Sequence, residues 1–170
     1  MDQIAAALAA AGEYLAAHPD EARYTDSLAT ATLEDGLRVR VRGAPGEELT
    51  TDMPTSVGGS GSVPSPGWFL RAAEAACVAT LLAMRAAQLG IDVGRIEVDV
   101  DSISDDRGIL GLADDVPAGP FSTRVAIRFA GADAGRATLE ALADWAVAHC
   151  PVTDAVARAV PLTVEVSLLS

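Results

Sequence analysis

Aromatic side chains and positive charges are both scarce in this sequence. Aromatic residues make up 4% of the 170 residues, and twelve basic residues stand against twenty-four acidic ones, for a formal net charge of -12. A chain with this charge balance repels phosphate backbones and anionic lipid. The sequence also offers few rings for an aromatic recognition platform. We therefore expect neither nucleic acid nor a membrane surface among its partners.

An export signal and a long uncharged apolar run are also missing. The alanine-rich N-terminal segment has no basic region and carries Asp2, Glu13 and Asp20, which argues against a signal peptide. No uncharged run reaches the roughly 18 residues of a spanning helix. We therefore expect a cytoplasmic protein, in which paired thiols more often serve catalysis, redox chemistry or metal binding than a structural disulfide.

Most sequence signatures of cofactor and metal sites are absent as well. The two cysteines and two histidines form no CxxC or HxxxH spacing. The segment GGSGS lacks the lysine of a phosphate loop, and neither GxGxxG nor GxSxG occurs. We therefore expect no metal and no bound cofactor.

The apolar and polar pattern indicates one α+β domain. An Asp-Gly pair between two alternating runs predicts a β-hairpin, and neighbouring strands are expected to be antiparallel. In chain order the pattern predicts a helix over 2–17, strands on either side of Asp35-Gly36, a short strand near 47–53, a flexible loop over 56–67, a helix over 66–89, a strand over 94–103, a long turn over 104–120, a strand over 121–129, helices over 133–148 and 151–158, and a final strand over 160–169.

The helix over 66–89 carries one of the two cysteines. Ser65 can cap it, Pro66 suits its first position, and Gly90 ends it. Its middle turns are apolar nearly all round, which places Cys77 inside the protein or inside an interface. Burial and the nearby Glu74 should both raise the pKa of Cys77. Taken alone, Cys77 is a small buried hydrophobe; as a nucleophile it needs a cation from elsewhere.

Three arginines on one strand are the candidates for that cation. Arg38, Arg40 and Arg42 share one face of the second strand, opposite an apolar face. A strand face with three charges is also typical of a simple solvated surface. Both interpretations stay open at this point.

The second cysteine lies in the stretch VAHCPVTDAV. If Pro151 begins a helix, Cys150 is its N-cap residue, and the exposed backbone amides there favour a thiolate. A protonated His149 would add to that effect. Alternatively, His149 merely ends the preceding helix, where a partial positive charge is favourable.

The two thiol contexts together resemble the OsmC/Ohr family of osmotically inducible and organic hydroperoxide resistance proteins. PSPGWFLRAAEAACVATLLAMRAAQLGI is similar to the family's central helix with its reactive cysteine, and HCPVTDAVARAVPLTVEV to its second signature. ATATLEDGLRVRV resembles the opening strands, so the likeness covers about residues 25–168. It implies a helical extension over 1–20 and one OsmC-like domain over 21–170. That domain has antiparallel sheets wrapped around a long buried helix, in an intertwined homodimer.

The same resemblance implies a thiol peroxidase. Cys77 matches the cysteine that attacks an organic hydroperoxide, and Cys150 the accessible thiol that resolves the resulting sulfenic acid. A dithiol or a protein reductant then reopens the disulfide. Arg38 is the nearest match to the arginine that activates the first thiol.

The sequence also departs from the family pattern. Gly67 and Trp68 stand where the family has a glutamate that holds the activating arginine, although Glu74 could replace it from the next turns. The long segment over 105–121 is more similar to a broad OsmC-like branch than to the peroxidases. The alternative is therefore a catalytically degenerate dimer that binds an apolar small molecule without turnover. A purely structural or partner-binding dimer is a third possibility.

Overall fold

A computed structural model describes residues 2–169 and confirms the α+β class. In that part of the chain the elements are α1 (Asp2–Ala17), β1 (Ala29–Asp35), β2 (Arg38–Gly43), β3 (Glu48–Thr51), α2 (Pro66–Leu89), β4 (Arg95–Ile103), α3 (Asp106–Ile109), β5 (Ser122–Ala130), α4 (Arg136–Ala148) and α5 (Pro151–Ala157). Single 3₁₀ turns occupy Pro19–Ala22 and Thr55–Val57.

The strands form two separate antiparallel sheets. The first has the order β1-β2-β3, and its hairpin turns at Gly36 with a φ of 55°, as the Asp-Gly pair predicts. The second is a long ribbon of β4 and β5, paired from Arg95 opposite Ala130 to Ile103 opposite Ser122. Helix α2 packs against the ribbon and against α1, α4 and α5, so it is the central element of the fold.

Helix α2 has the predicted bounds and cap residues. The Ser65 hydroxyl accepts a hydrogen bond from the Trp68 amide at 3.3 Å, Pro66 is the first residue, and Gly90 ends the helix with a φ of 65°. Its inner face joins the core cluster with residues of α4 and α5. The members of this cluster are Val78, Leu82, Ala86, Val93, Leu142, Ala146 and Cys150.

The opposite face of α2 is uncovered in the single chain. Ala73, Ala76 and Thr80 are exposed along one stripe. By length and composition alone α2 could cross a membrane, with a mean hydropathy of 1.3 over eighteen residues, a property that core helices of soluble proteins share. Within a single protomer, one face of α2 is therefore buried, as predicted, and the opposite face is exposed.

Three sequence-based predictions need correction. Helix α4 begins at Arg136 instead of near Asp133, because Gly135 has an extended backbone and caps it. The turn over 104–120 contains the single helical turn α3. Residues 160–169 form no strand, since no strand of the same protomer pairs with them. The alternating side chains of this segment are 74–97% exposed: Leu162, Val164, Val166 and Leu168.

The loop before α2 is anchored instead of flexible. Asp52 is buried, and its carboxylate accepts hydrogen bonds from the hydroxyls and backbone amides of Ser60 and Ser62 and from the Met53 amide. These donors, the Ser60 hydroxyl above all, outweigh burial and hold the pKa of Asp52 far below its usual range. At Gly59 a Cβ would lie 1.9 Å from the Met53 carbonyl oxygen, so the loop closes only over glycine.

Candidate active site

The fold brings the two thiols of the chain together. Cys77 lies midway along α2, and Cys150 lies at the start of α5, 73 residues later in the sequence. The Cys77 and Cys150 thiols lie near enough that each shifts the pKa of the other, and both cysteines are free. The helix packing of α2 on α5 therefore creates a dithiol site from two separate motifs.

Cys150 is the N-cap residue of α5, as the Cys-Pro pair predicts. Its Sγ accepts a hydrogen bond from the Thr153 amide at 3.4 Å. Burial opposes ionisation, but hydrogen bonds with the hydroxyl and amide of Thr153, with Cys77 and with the Val152 amide outweigh it and lower the pKa of Cys150. The predicted accessibility of this thiol is wrong: Cys150 is 0% exposed, because it closes the core cluster under α4.

Cys77 has the opposite electrostatic character. It is half-buried, and burial raises its pKa; the hydrogen bond with Cys150 raises the pKa further, while the Val152 amide lowers it. The predicted direction is confirmed, although the second cause is Cys150 and not Glu74. Cys150 is therefore the thiol that ionises first, and Cys77 the one that a small molecule can reach.

The structure does not bring Arg38 to this pair within one protomer. Its guanidinium lies 3.6 Å from the Glu34 carboxylate and donates to the Ser62 hydroxyl at 3.0 Å. Arg38 is not among the groups that shift the pKa of Cys77, so its activating role stays a prediction. The arginine face of the first sheet carries four ion pairs with two glutamates: Arg38–Glu34, Arg40–Glu34, Arg40–Glu48 and Arg42–Glu48.

His149 belongs to the end of α4, as its simpler interpretation predicts. It is the C-cap residue, its ring stacks on Trp145 with the centroids 4.1 Å apart, and its Nδ1 lies 2.8 Å from the Trp145 carbonyl oxygen. The Arg85 guanidinium lies 4.8 Å from the centre of the same indole. The imidazole is therefore held by Trp145 instead of by the neighbouring thiol.

The sequence did not predict that Glu74, on α2, contacts the segment that follows Cys150. Glu74 is 1% exposed, and its Oε1 accepts a hydrogen bond from the Thr153 hydroxyl at 3.2 Å. Thr153 therefore links the two groups, because its hydroxyl donates to the Glu74 carboxylate and its amide donates to the Cys150 sulfur. Glu74 does not hold an arginine in the described chain, so the suggested replacement for the family's glutamate is not formed there.

We expect the pKa of Cys150 to lie below that of an ordinary cysteine and the pKa of Cys77 to lie above it. In a Cys77→Ser variant, Cys150 should form its thiolate at a lower pH than free cysteine, because Thr153 and Val152 still donate to it. In a Cys150→Ser variant, Cys77 should ionise at a higher pH, because burial remains. The ultraviolet absorbance of the thiolate measures both. The reverse order, or a common midpoint, would contradict the hydrogen bonds assigned here.

Comparisons with known proteins identify the family and the fold of this chain. The family model described as OsmC-like protein matches residues 59–165, a span that includes both cysteines. No curated protein matches the chain in sequence. Solved structures that share the fold include an organic hydroperoxide resistance protein OsmC from Legionella pneumophila, with 20% identity over 79% of this chain and 90% of that chain and a TM-score of 0.60. An organic hydroperoxide resistance protein from Elizabethkingia anophelis has 18% identity over 78% and 89% of the two chains, with a TM-score of 0.62.

An OsmC-like protein from Mycoplasma pneumoniae has the higher TM-score of 0.67, with 14% identity over 79% of this chain and 89% of that chain. At these identities the solved structures establish the shared fold. The family model covers well over half of the chain, including α2, the β4–β5 ribbon, α4 and α5. By this match and this fold, the chain belongs to the OsmC-like family.

Proposed function

We propose that the protein is a thiol peroxidase that reduces organic hydroperoxides through Cys77 and Cys150. The observation that carries the proposal is the direct interaction of the two thiols, which come from separate helices. A half-buried thiol beside a fully buried one with a lowered pKa suits an attacking and a resolving cysteine. The names of the Legionella and Elizabethkingia relatives support the same substrate class.

The first step needs a proton acceptor, because the pKa of Cys77 is raised. In this mechanism the Cys150 thiolate takes the Cys77 proton across their hydrogen bond. The Cys77 sulfur attacks the terminal peroxide oxygen, so an S–O bond forms and the O–O bond breaks. The leaving alkoxide takes the hydroxyl proton of the new S–OH group and departs as the alcohol, and the Cys77 sulfenate then regains a proton from the neighbouring Cys150 thiol. Cys77 is then a sulfenic acid, and Cys150 is a thiolate again.

The second step uses the same thiolate. Cys150 attacks the Cys77 sulfur, the S–S bond forms, and the S–O bond breaks with release of hydroxide, which becomes water. An external dithiol or a protein reductant reduces the disulfide by thiol exchange. Cys150 has no exposed surface, so the reductant attacks at Cys77. In this scheme the hydrogen bonds from Thr153 serve both steps, because each step needs the Cys150 anion.

An apolar peroxide fits the surroundings better than a charged one. Trp68 and Leu70 at the start of α2 are 49% and 42% exposed, and Ala73 and Ala76 continue this surface toward Cys77. A second copy of the chain that covers this face would close the site against water, as in the intertwined homodimer that the resemblance implies.

A stoichiometric oxidation tests the proposal. One equivalent of cumene hydroperoxide should convert both free thiols to a single Cys77–Cys150 disulfide, because Cys77 packs against the core cluster that contains Cys150. Mass spectrometry of the unreduced digest identifies the linked peptides, and a thiol count before and after gives the yield. Two thiols that survive unchanged would contradict the proposed function.

Binding without turnover is the second candidate. It is favoured by Gly67 and Trp68 in place of the family's glutamate, and by the raised pKa of Cys77 without a neighbouring arginine in the protomer. In that case the exposed apolar face of α2 would hold a small molecule that is not consumed. Peroxide consumption by the wild type and by a Cys77 variant separates the two candidates.

A further inference from the structure

Glu74 has a buried carboxylate oxygen without a partner. Its Oε1 accepts the Thr153 hydroxyl, but its Oε2 has no hydrogen-bond partner within the described chain. A carboxylate oxygen that is removed from water and left unpaired costs free energy. A buried polar atom without a partner in a native fold therefore indicates that a hydrogen-bond donor binds there.

A second copy that covers the exposed face of α2 does not directly supply a donor to Oε2 of Glu74. Glu74 lies on the inner face of α2 with Val78 and Leu82, whereas Ala73 and Ala76 lie on the uncovered face. A second copy that packs on the uncovered face would lie across the helix from Glu74. A donor for Oε2 therefore has to approach from the side of α2 that faces away from this stripe.

Two adjoining cavities reach Glu74 from inside the protomer. One has a volume of about 380 Å³ and lies between the loop before α2, the first turns of α2 and the segment around α3. The other, of about 190 Å³, lies between α2, the start of β5 and α5. Both are lined by Glu74, Pro120 and Thr123. The larger cavity has apolar walls from Met53, Pro66, Leu70 and Ile109.

The charges around the larger cavity favour a cation. Glu74, Asp105 and Asp106 lie at its wall, and Arg71 is the one arginine among its lining residues. Asp105 pairs with Arg107, whereas none of the ion pairs in the described residues involves Glu74 or Asp106. The Arg71 guanidinium donates to the Ser102 hydroxyl at 3.4 Å, and none of the ion pairs in the described residues joins Arg71 to Glu74. The chain itself thus leaves the Glu74 carboxylate without a compensating positive charge. A buried carboxylate is matched best by a charged donor.

We propose that this cavity is a binding site for a small organic ammonium ion with an apolar body, its nitrogen donating to Oε2 of Glu74. The apolar body lies along Leu70 and Ile109, and the acidic wall excludes anions of the same shape. This site shares Leu70 with the surface proposed for the peroxide, and Glu74 contacts Thr153, but binding of a cation here does not rest on the peroxidase proposal. A volume of about 380 Å³ is within the ordinary range for small-molecule sites.

The test compares three probes of equal chain length on the full chain: hexylammonium, hexan-1-ol and hexanoate. Isothermal titration calorimetry should show that hexylammonium binds most tightly. Glu74→Gln should weaken its binding at least about tenfold, because the charged acceptor is lost while the shape is kept. Glu140→Gln is the matched control. Glu140 is an exposed helical glutamate beside a second apolar cavity, formed by Ile127, Phe129 and Leu139.

A second variant tests the proposal independently if Glu74→Gln folds poorly. Arg71→Gln removes the one arginine among the lining residues of the cavity and should strengthen hexylammonium binding severalfold. Equal binding of the three probes, or an affinity that survives Glu74→Gln, would overturn the proposal, and so would an equal loss in Glu74→Gln and Glu140→Gln. So would an Arg71→Gln variant with unchanged affinity. None of these measurements involves peroxide, so they fail or succeed independently of the proposed enzyme activity.

Discussion

Replacing Cys77 by serine should lower the consumption of cumene hydroperoxide at least about a thousandfold, because a nucleophilic cysteine carries the whole covalent route. A serine hydroxyl keeps the shape of the side chain but does not ionise near neutral pH. The measurement is peroxide loss with dithiothreitol as the reductant, at a pH above the titration midpoint of Cys150. Under these conditions the wild type should turn over repeatedly.

Two variants serve as controls for this experiment. Cys150→Ser keeps the attacking thiol but loses both the proton acceptor and the resolving thiol, so it should react slowly and leave a sulfenic acid that dimedone traps at Cys77. Glu140→Gln changes an exposed residue of α4, whose carboxylate pairs with Arg136, and should leave the rate unchanged. Equal peroxide consumption by the wild type and by Cys77→Ser would instead favour a protein that binds without turnover.

The elements that the sequence predicts well are those set by local rules. Ser65, Pro66 and Gly90 fix the ends of α2 through capping and backbone conformation, and the structure shows each of them in that role. The Cys150-Pro151 pair likewise predicts an N-cap, since proline suits the first helical position and the thiol can accept an amide hydrogen bond. Both thiol environments follow in part from these short-range rules.

The features that the sequence does not reveal depend on contacts between distant segments. Glu74 meets Thr153 across 79 residues, and nothing in the pattern around either residue indicates that contact. The burial of Cys150 likewise depends on how α4 and α5 close over α2, whereas its cap role suggests an exposed position. The alternation over 160–169 predicts a strand that the structure does not form, because a strand also needs a partner, and no strand in the described residues pairs with this segment.

The unpaired segment 160–169 is the basis of the second prediction, which concerns the association of two protomers. We expect the protein to sediment at about twice its chain mass of 17.4 kDa, as a homodimer. The exposed apolar residues of 160–169, the fully exposed strand β1 and the uncovered stripe on α2 are three apolar or unpaired surfaces in one protomer. A second copy that pairs with the tail and covers α2 would bury them all, in keeping with the intertwined homodimer predicted from the resemblance.

A charge on the apolar side of the tail should break this dimer. Val164→Asp places a carboxylate among Leu162 and Val166, and should weaken association at least about a hundredfold, because burying an unpaired charge costs about 3 kcal/mol or more. Thr163→Asp adds the same charge one residue away, where an extended chain points to the opposite side, and should leave the dimer intact. Sedimentation equilibrium measures both. A monomeric wild type, or two variants that dissociate equally, would show that the tail is not a strand between subunits.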